Sequence, residues 1–234
     1  MTTQFYTVVS SLPRMSAYFK IKETPISRLQ LEKRLKLLPS TQYELLIKIE
    51  SLVWTSWFQP QHSLNETKME WLNLPKIDSA LVREVIAWYL DLRSILTALR
   101  MRNEKKIPPD GTTDYWITRW SYKLKQNWNQ PDFGLQAVYP WLPKIAVEIA
   151  KDDILAVEEF LLVHIWNYLS IIETGHYFDF EFLIIYLLRW NIIDYWSKFN
   201  KFSILKNLDE LINLIIDEHD LCTKLLAPNQ GSRS

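Results

Sequence analysis

The sequence predicts an all-α fold, a multi-helix bundle of antiparallel helix pairs. Three observations carry that prediction. Glycine is scarce, at 4 of 234 residues, which leaves little for tight hairpins or glycine-rich phosphate loops. Apolar residues recur at helical spacing between helix-cap signals and prolines. Tryptophan is abundant, at 11, beside 11 Tyr and 10 Phe, and such rings suit thick helix–helix interfaces or exposed docking surfaces. With 48% hydrophobic residues, the chain can bury one substantial core, or two helical lobes that share one.

At the N-terminus, residues 5–10 (FYTVVS) form the only β-like stretch, so a short extended segment is expected there. Ser27 and Gln30 make an S-x-x-Q capping box, and the helix it opens runs to Pro39. Thr41 and Glu44 make a second box, before a helix carrying Leu45, Ile49, Leu52 and Val53 and stopped ahead of Pro60. Ser63 and Glu66 make a third, heading a short helix that ends near Pro75. Asp78 caps a long helix over 79–106, about 40 Å in length, which the run IPPDG (107–111) stops. A fifth helix follows Thr112, Thr113 and Asp114 and places Trp116, Trp120 and Leu124 on one stripe.

Pro131, Gly134, Pro140 and Pro143 then cluster, marking a lobe boundary near 129–143 inside a single domain over 1–234. Beyond it, helices are expected near 144–151, 153–173, 179–198 and 203–226, with Gly175 as a C′ glycine and the tail 227–234 disordered.

The stretch FDFEFLIIYLLRWNIIDYW (178–196) is apolar enough to suggest a membrane span. Its longest uncharged run is only seven residues, 182–188, against the roughly 20 a span needs. Asp179, Glu181, Arg189, Asn191 and Asp194 scatter around the helical wheel, so the segment reads as a helix buried on most sides. The preceding apolar segment 153–172 should fold back on it through a short turn. Arg189 is then level with about residue 163, and Glu159 is the expected partner of this buried cation.

Balanced charge, 27 basic against 27 acidic residues, supplies no global field for nucleic acid or anionic lipid. The lone Cys222 can form no internal disulfide, which fits a reducing compartment, and the N-terminus lacks the basic start of a signal peptide. His62, His164, His176 and His219 form no metal-ligand spacing, so neither metal nor cofactor is expected. Nucleophile elbows, P-loops and dinucleotide fingerprints are absent. Asp152, Asp153, Glu158 and Glu159 could hold Mg²⁺ in an all-α enzyme, although helix capping is the simpler use of the two aspartates. The segment WITRWSYKLKQNW (116–128) interleaves cations with rings, as single-strand binders do, but its tryptophans fall on a core stripe. Within LDLRSILTALRMRNEKK (90–106), Asp91, Arg93, Arg100 and Arg102 are candidates either for docking a partner or for bracing the lobes.

The N-terminal FYTVVSSLP, the central YLDLRSILTALRMR and the late FDFEFLIIYLLRWNIIDYW, in that order, resemble a small bacterial family found alongside the components of V/A-type ATP synthases. That family is similar to the C-type (or d-type) stalk component, the helical adaptor of the rotary ATPase. The resemblance implies a non-catalytic protein that binds no nucleotide. It implies contact with the central stalk and the membrane rotor ring, and a cytoplasmic, peripheral location. The helical adaptor has three similar lobes, whereas this shorter chain has room for two.

Overall fold

The computed structural model of the chain describes residues 2–15, 23–55, 64–109 and 116–198. The expected helix 203–226, the tail 227–234, Ser63 of the third capping box and the run 110–114 lie outside the described residues. The described helices are α1 (Thr2–Ser11), α2 (Arg28–Leu35), α3 (Ser40–Val53), α4 (Leu64–Leu72), α5 (Ala80–Asn103), α6 (Ser121–Gln126), α7 (Leu142–Ala150) and α8 (Ile154–Ile172). A further helix, α9, is described over residues 180–198. No strand occurs among the described residues, and the fold is all-α as the sequence predicts.

Two helices form the centre. α5 buries residues around almost its whole girth, from Val82 and Ile86 through Trp88–Leu92 to Ala98 and Leu99. It packs on α3 and α7, and α7 in turn packs on α8. α9 is buried at every residue from 183 to 193. Its polar atoms fasten it to four other segments. Tyr186 donates to the Pro13 carbonyl, Trp190 to the Ile26 carbonyl and Asn191 to Glu50, while Tyr195 donates to Glu158 on α8. The 178–196 stretch is therefore core, as its scattered charges imply. α8 is long and apolar enough to cross a membrane by length and composition alone. One face of it, including Leu161, Leu162, Ile165, Trp166 and Leu169, is buried in this core.

The N-terminal extended segment is not found: residues 5–10 belong to helix α1. Phe5, Val8, Val9 and Leu12 follow a helical spacing, and Val8 is fully buried while the other three pack against the core. Tyr6 stacks on Phe178 at 4.7 Å and Phe5 meets Phe180 at 6.4 Å. Packing on the α8–α9 turn overrides the β preference of Tyr, Thr and Val.

Capping follows the sequence in part. The Ser27/Gln30 box forms in full. The Thr41/Glu44 box does not, because the N-cap falls two residues earlier, at Pro39, and α3 begins at Ser40 with no side-chain cap. Ser79, not Asp78, caps α5, accepting from the Val82 amide at 3.2 Å. Ser79→Ala should therefore lower the unfolding free energy by about 1 kcal/mol, and Asp78→Ala should leave it nearly unchanged. Urea titrations of the two variants decide between the caps.

The fifth helix is much shorter than expected. Residues 116–120 are not helical, and α6 covers only Ser121–Gln126. The cause is local hydrogen-bond competition. Thr118 Oγ1 accepts from the Trp120 amide at 3.1 Å, which closes a side-chain turn. Asp91 takes the Arg119 amide at 3.2 Å. Trp116 and Leu124 are still buried, so the apolar reading survives without the helix that suggested it.

The proline-rich segment 129–143 is folded into turns up to Trp141, where α7 begins, and these turns bury Phe133, Leu135 and Tyr139. Asp132 holds the amides of Gly134 and Gln136, and Asn127 holds the Phe133 carbonyl. Gly134 adopts φ +66, where an added Cβ would lie 3.1 Å from Asn127 Nδ2.

Candidate functional site

Asp91 sits mid-way along α5 and is 1% exposed. A carboxylate there needs donors, and four reach it. Thr118 Oγ1 donates at 2.5 Å, the Arg119 amide at 3.2 Å, Arg119 Nε at 2.6 Å and the Tyr139 hydroxyl at 3.3 Å. Arg119 extends further to Glu84, two turns earlier on α5, at 2.9 Å. Its pKa is raised, first by the bond to Glu84 and then by that to Asp91. Burial, reinforced by the nearby Asp91 charge, pushes the Tyr139 phenol up to about 12, so it stays a donor. Trp120 Nε1 completes the set by donating to Tyr139.

Arg102 acts in the same way at the end of α5. It donates to the carbonyls of Gln130 and, at 2.9 Å, Pro131, and its guanidinium lies 4.5 Å from the centre of the Phe133 ring. Burial lowers its pKa, and Asp132 opposes that shift. Asp91 and Arg102 thus pin the long 116–141 connection onto α5. These bonds are all internal to the chain, between α5 and residues 118–139. Arg93 is half-buried, with burial lowering its pKa and Glu70 on α4 opposing it. Arg100 is exposed, between a groove lined by Asp152 and Asp153 and a small cavity lined by Glu158 and Tyr195.

Arg189 on α9 is buried and ion-paired, but its partner is Glu173 at 2.5 Å, not the expected Glu159. The register of the hairpin is close to expectation, since Tyr195 meets Glu158 and the Arg189 guanidinium lies 4.1 Å over Trp166. What differs is direction. Side chains on a helix lean toward its N-terminus, so Arg189 points toward the turn and reaches the last residues of α8. Glu159 lies the other way, fourteen residues or about 21 Å along α8 from Glu173. Burial lowers the Arg189 pKa, and the Glu173 charge opposes this.

A third ionic cluster escaped the sequence reading. Glu50, 5% exposed on α3, accepts from Arg28 at 2.5 and 2.8 Å and from Asn191 at 2.7 Å. Arg28 also pairs with Glu32 one turn on. The cluster joins α2, α3 and α9. Its only sequence signal was a glutamate at 50 falling between the apolar Ile49 and Leu52, with no local partner to flag it.

The acidic residues proposed for Mg²⁺ do not converge. Asp153 caps α8 by accepting from the Ala156 amide at 3.0 Å. Asp152 adopts φ +58 at the α7–α8 corner and is exposed. Glu158 is engaged by Tyr195. Among the described residues a different trio, His176, Asp179 and Glu181, brings ligand atoms within 4.8 Å of one another. Within it, His176 Nδ1 and Asp179 are 2.6 Å apart, and Asp179 caps α9 by accepting from the Phe182 amide at 2.9 Å.

His164 is enclosed by aromatic rings. Phe160 stacks on it at 5.9 Å, with Trp141 at 5.1 Å and Trp88 at 5.7 Å. Burial lowers its pKa from the ordinary 6.5. The unfolded chain then binds a proton at 164 more readily than the folded one. Stability is therefore expected to fall as pH drops below about 6.5. His164→Gln should flatten part of that slope, as read from urea midpoints between pH 7.5 and 5.5.

A family model described as "Protein of unknown function (DUF2764)" matches residues 65–219. The chain belongs to that family. No curated protein and no solved structure matches it. The segment shared with DUF2764 begins in α4 and takes in the whole Asp91 and Arg102 bracing system and the Arg189–Glu173 pair. Of the third cluster it contains only Asn191, because Arg28 and Glu50 precede it.

Proposed function

We propose that this DUF2764 protein is a non-catalytic adaptor or accessory subunit of a V/A-type rotary ATPase, linking the central stalk to the membrane rotor ring. The observation that carries the reading is the resemblance of three segments, in order, to the small bacterial family found beside such ATPases. The side-chain chemistry is compatible with it. The ionic groups are used to fasten one segment of the chain to another, as in a part that must transmit force without deforming. Asp91, Arg102, Glu50 and Arg189 all act across elements in this way. The protein would work at the cytoplasmic face, peripheral to the membrane and without nucleotide.

Expression in cells that carry the rotary ATPase, followed by mild detergent extraction and affinity capture of the tagged chain, tests the proposal. Stalk or ring proteins of the ATPase should co-purify, and the chain alone should hydrolyse no ATP. Recovery of the chain without any part of the ATPase would sink this reading and favour a helical regulatory protein of another system.

A further inference from the structure

The turn between α8 and α9 gathers three metal-ligating side chains that sequence spacing did not single out: His176, Asp179 and Glu181. One ligand atom from each lies within 4.8 Å of the other two, and all three residues are half-buried. The backbone that carries them is held without any ion. Gly175 turns the chain at φ +95, and the His176 amide donates to the Glu173 carbonyl at 3.0 Å. Between the three, Phe178 stacks on Tyr6 at 4.7 Å and Phe180 meets Phe5 at 6.4 Å, so α1 fixes the segment.

Local structure accounts for part of this cluster. Asp179 caps α9, its Oδ1 accepting from the Phe182 amide at 2.9 Å. Acidic side chains in the first turn of a helix also suit its macrodipole. Two features are left over. The cap uses one carboxylate oxygen, and the other, Oδ2, faces His176 Nδ1 at 2.6 Å. An imidazole is not what a helix N-terminus calls for. Glu181 then adds a second carboxylate beside the first, and no lysine, arginine or hydrogen-bond donor among the described residues pairs with its side chain. Half-buried carboxylates so close repel each other unless a cation lies between them.

We propose that His176, Asp179 and Glu181 bind a divalent transition-metal ion, with Zn²⁺ the best match. One imidazole nitrogen and two carboxylate oxygens form a mixed donor set that Zn²⁺ accepts, with water in the remaining position. Mg²⁺ and Ca²⁺ prefer oxygen alone. The ion replaces the proton between Nδ1 and Oδ2, and the imidazole then carries its proton on Nε2. Asp179 keeps the cap through Oδ1 and ligates through Oδ2. The inference does not depend on the ATPase reading.

Zn²⁺ is titrated into the metal-free full chain by calorimetry, with Mg²⁺ present in excess. One ion per chain should bind at micromolar zinc. His176→Gln and Glu181→Gln both spare the Asp179 cap, so the metal-free variants should keep the parent's urea midpoint. Each should nevertheless weaken Zn²⁺ by about tenfold or more. His219→Gln, at the other histidine with acidic neighbours in the sequence, should bind as the parent does. Absence of heat at micromolar zinc would overturn the proposal. So would binding that Mg²⁺ displaces, binding that survives His176→Gln and Glu181→Gln, or binding that is lost with His219→Gln.

Discussion

Asp91→Ala is expected to lower the unfolding free energy by about 3 kcal/mol. The carboxylate is almost wholly buried and satisfies four donors. Removing it does not strand them equally. Arg119 is 46% exposed, so its guanidinium can turn to Glu84 and to water. The Tyr139 hydroxyl is enclosed and would keep its contact with Trp120. The Arg119 amide and the Thr118 hydroxyl lose the acceptor that holds 116–120 out of a helix. Asp91→Asn should cost less, about 2 kcal/mol, because it keeps one acceptor oxygen while turning an amide NH₂ toward the guanidinium. Thr118→Val and Tyr139→Phe should each cost about 1 kcal/mol. Urea denaturation followed by tryptophan fluorescence measures all four. Were Asp91 a contact for a partner, alanine there would weaken the complex and leave the free chain's stability unchanged. A loss below about 1 kcal/mol would therefore remove the bracing role.

The same residue shows how far the sequence could be read. Asp91 and Arg102 stood out because charges inside an apolar helix call for partners. The partners themselves, Thr118, Arg119 and the carbonyls of 130 and 131, lie 27 to 29 residues away on a long connection. No local pattern encodes such contacts. Helix existence was legible wherever caps and apolar period agreed, as at Ser27 and along α5, α8 and α9. It was misread where a side chain competes with the backbone. Thr118 diverts 116–120 into a turn, and the stripe of Trp116, Trp120 and Leu124 mimicked a helix across that break. At the N-terminus the error ran the other way, since β-favouring residues form α1 once Val8 has a core to enter. The cap of α5, Ser79 in place of Asp78, shows that neighbouring side chains could cap and only the final chain direction chooses, while α3 starts behind Pro39 with no side-chain cap at all.

The α8–α9 hairpin allows a test in which the sign of the effect, not its size alone, is informative. Glu173→Gln leaves Arg189 charged and only 6% exposed, with Trp166 against its face and the Glu173 carboxylate gone from its tip. A loss of about 3 kcal/mol is expected, reduced somewhat because Glu173 itself is 29% exposed and water can enter from its side. Arg189→Met removes the charge and keeps much of the volume, so it should cost only about 1 kcal/mol. The double variant should be no less stable than Glu173→Gln alone, since the buried cation has gone. A coupling of about 1–3 kcal/mol between the two sites follows. Arg189→Met combined with Glu159→Gln should instead be additive, because Glu159 lies in the direction from which the arginine leans away. Additivity at 173 with coupling at 159 would mean that the hairpin register differs from the one set by the Tyr195–Glu158 and Arg189–Trp166 contacts. The order of the three variants thus reports how α8 and α9 are aligned, and that alignment positions the buried centre of the fold.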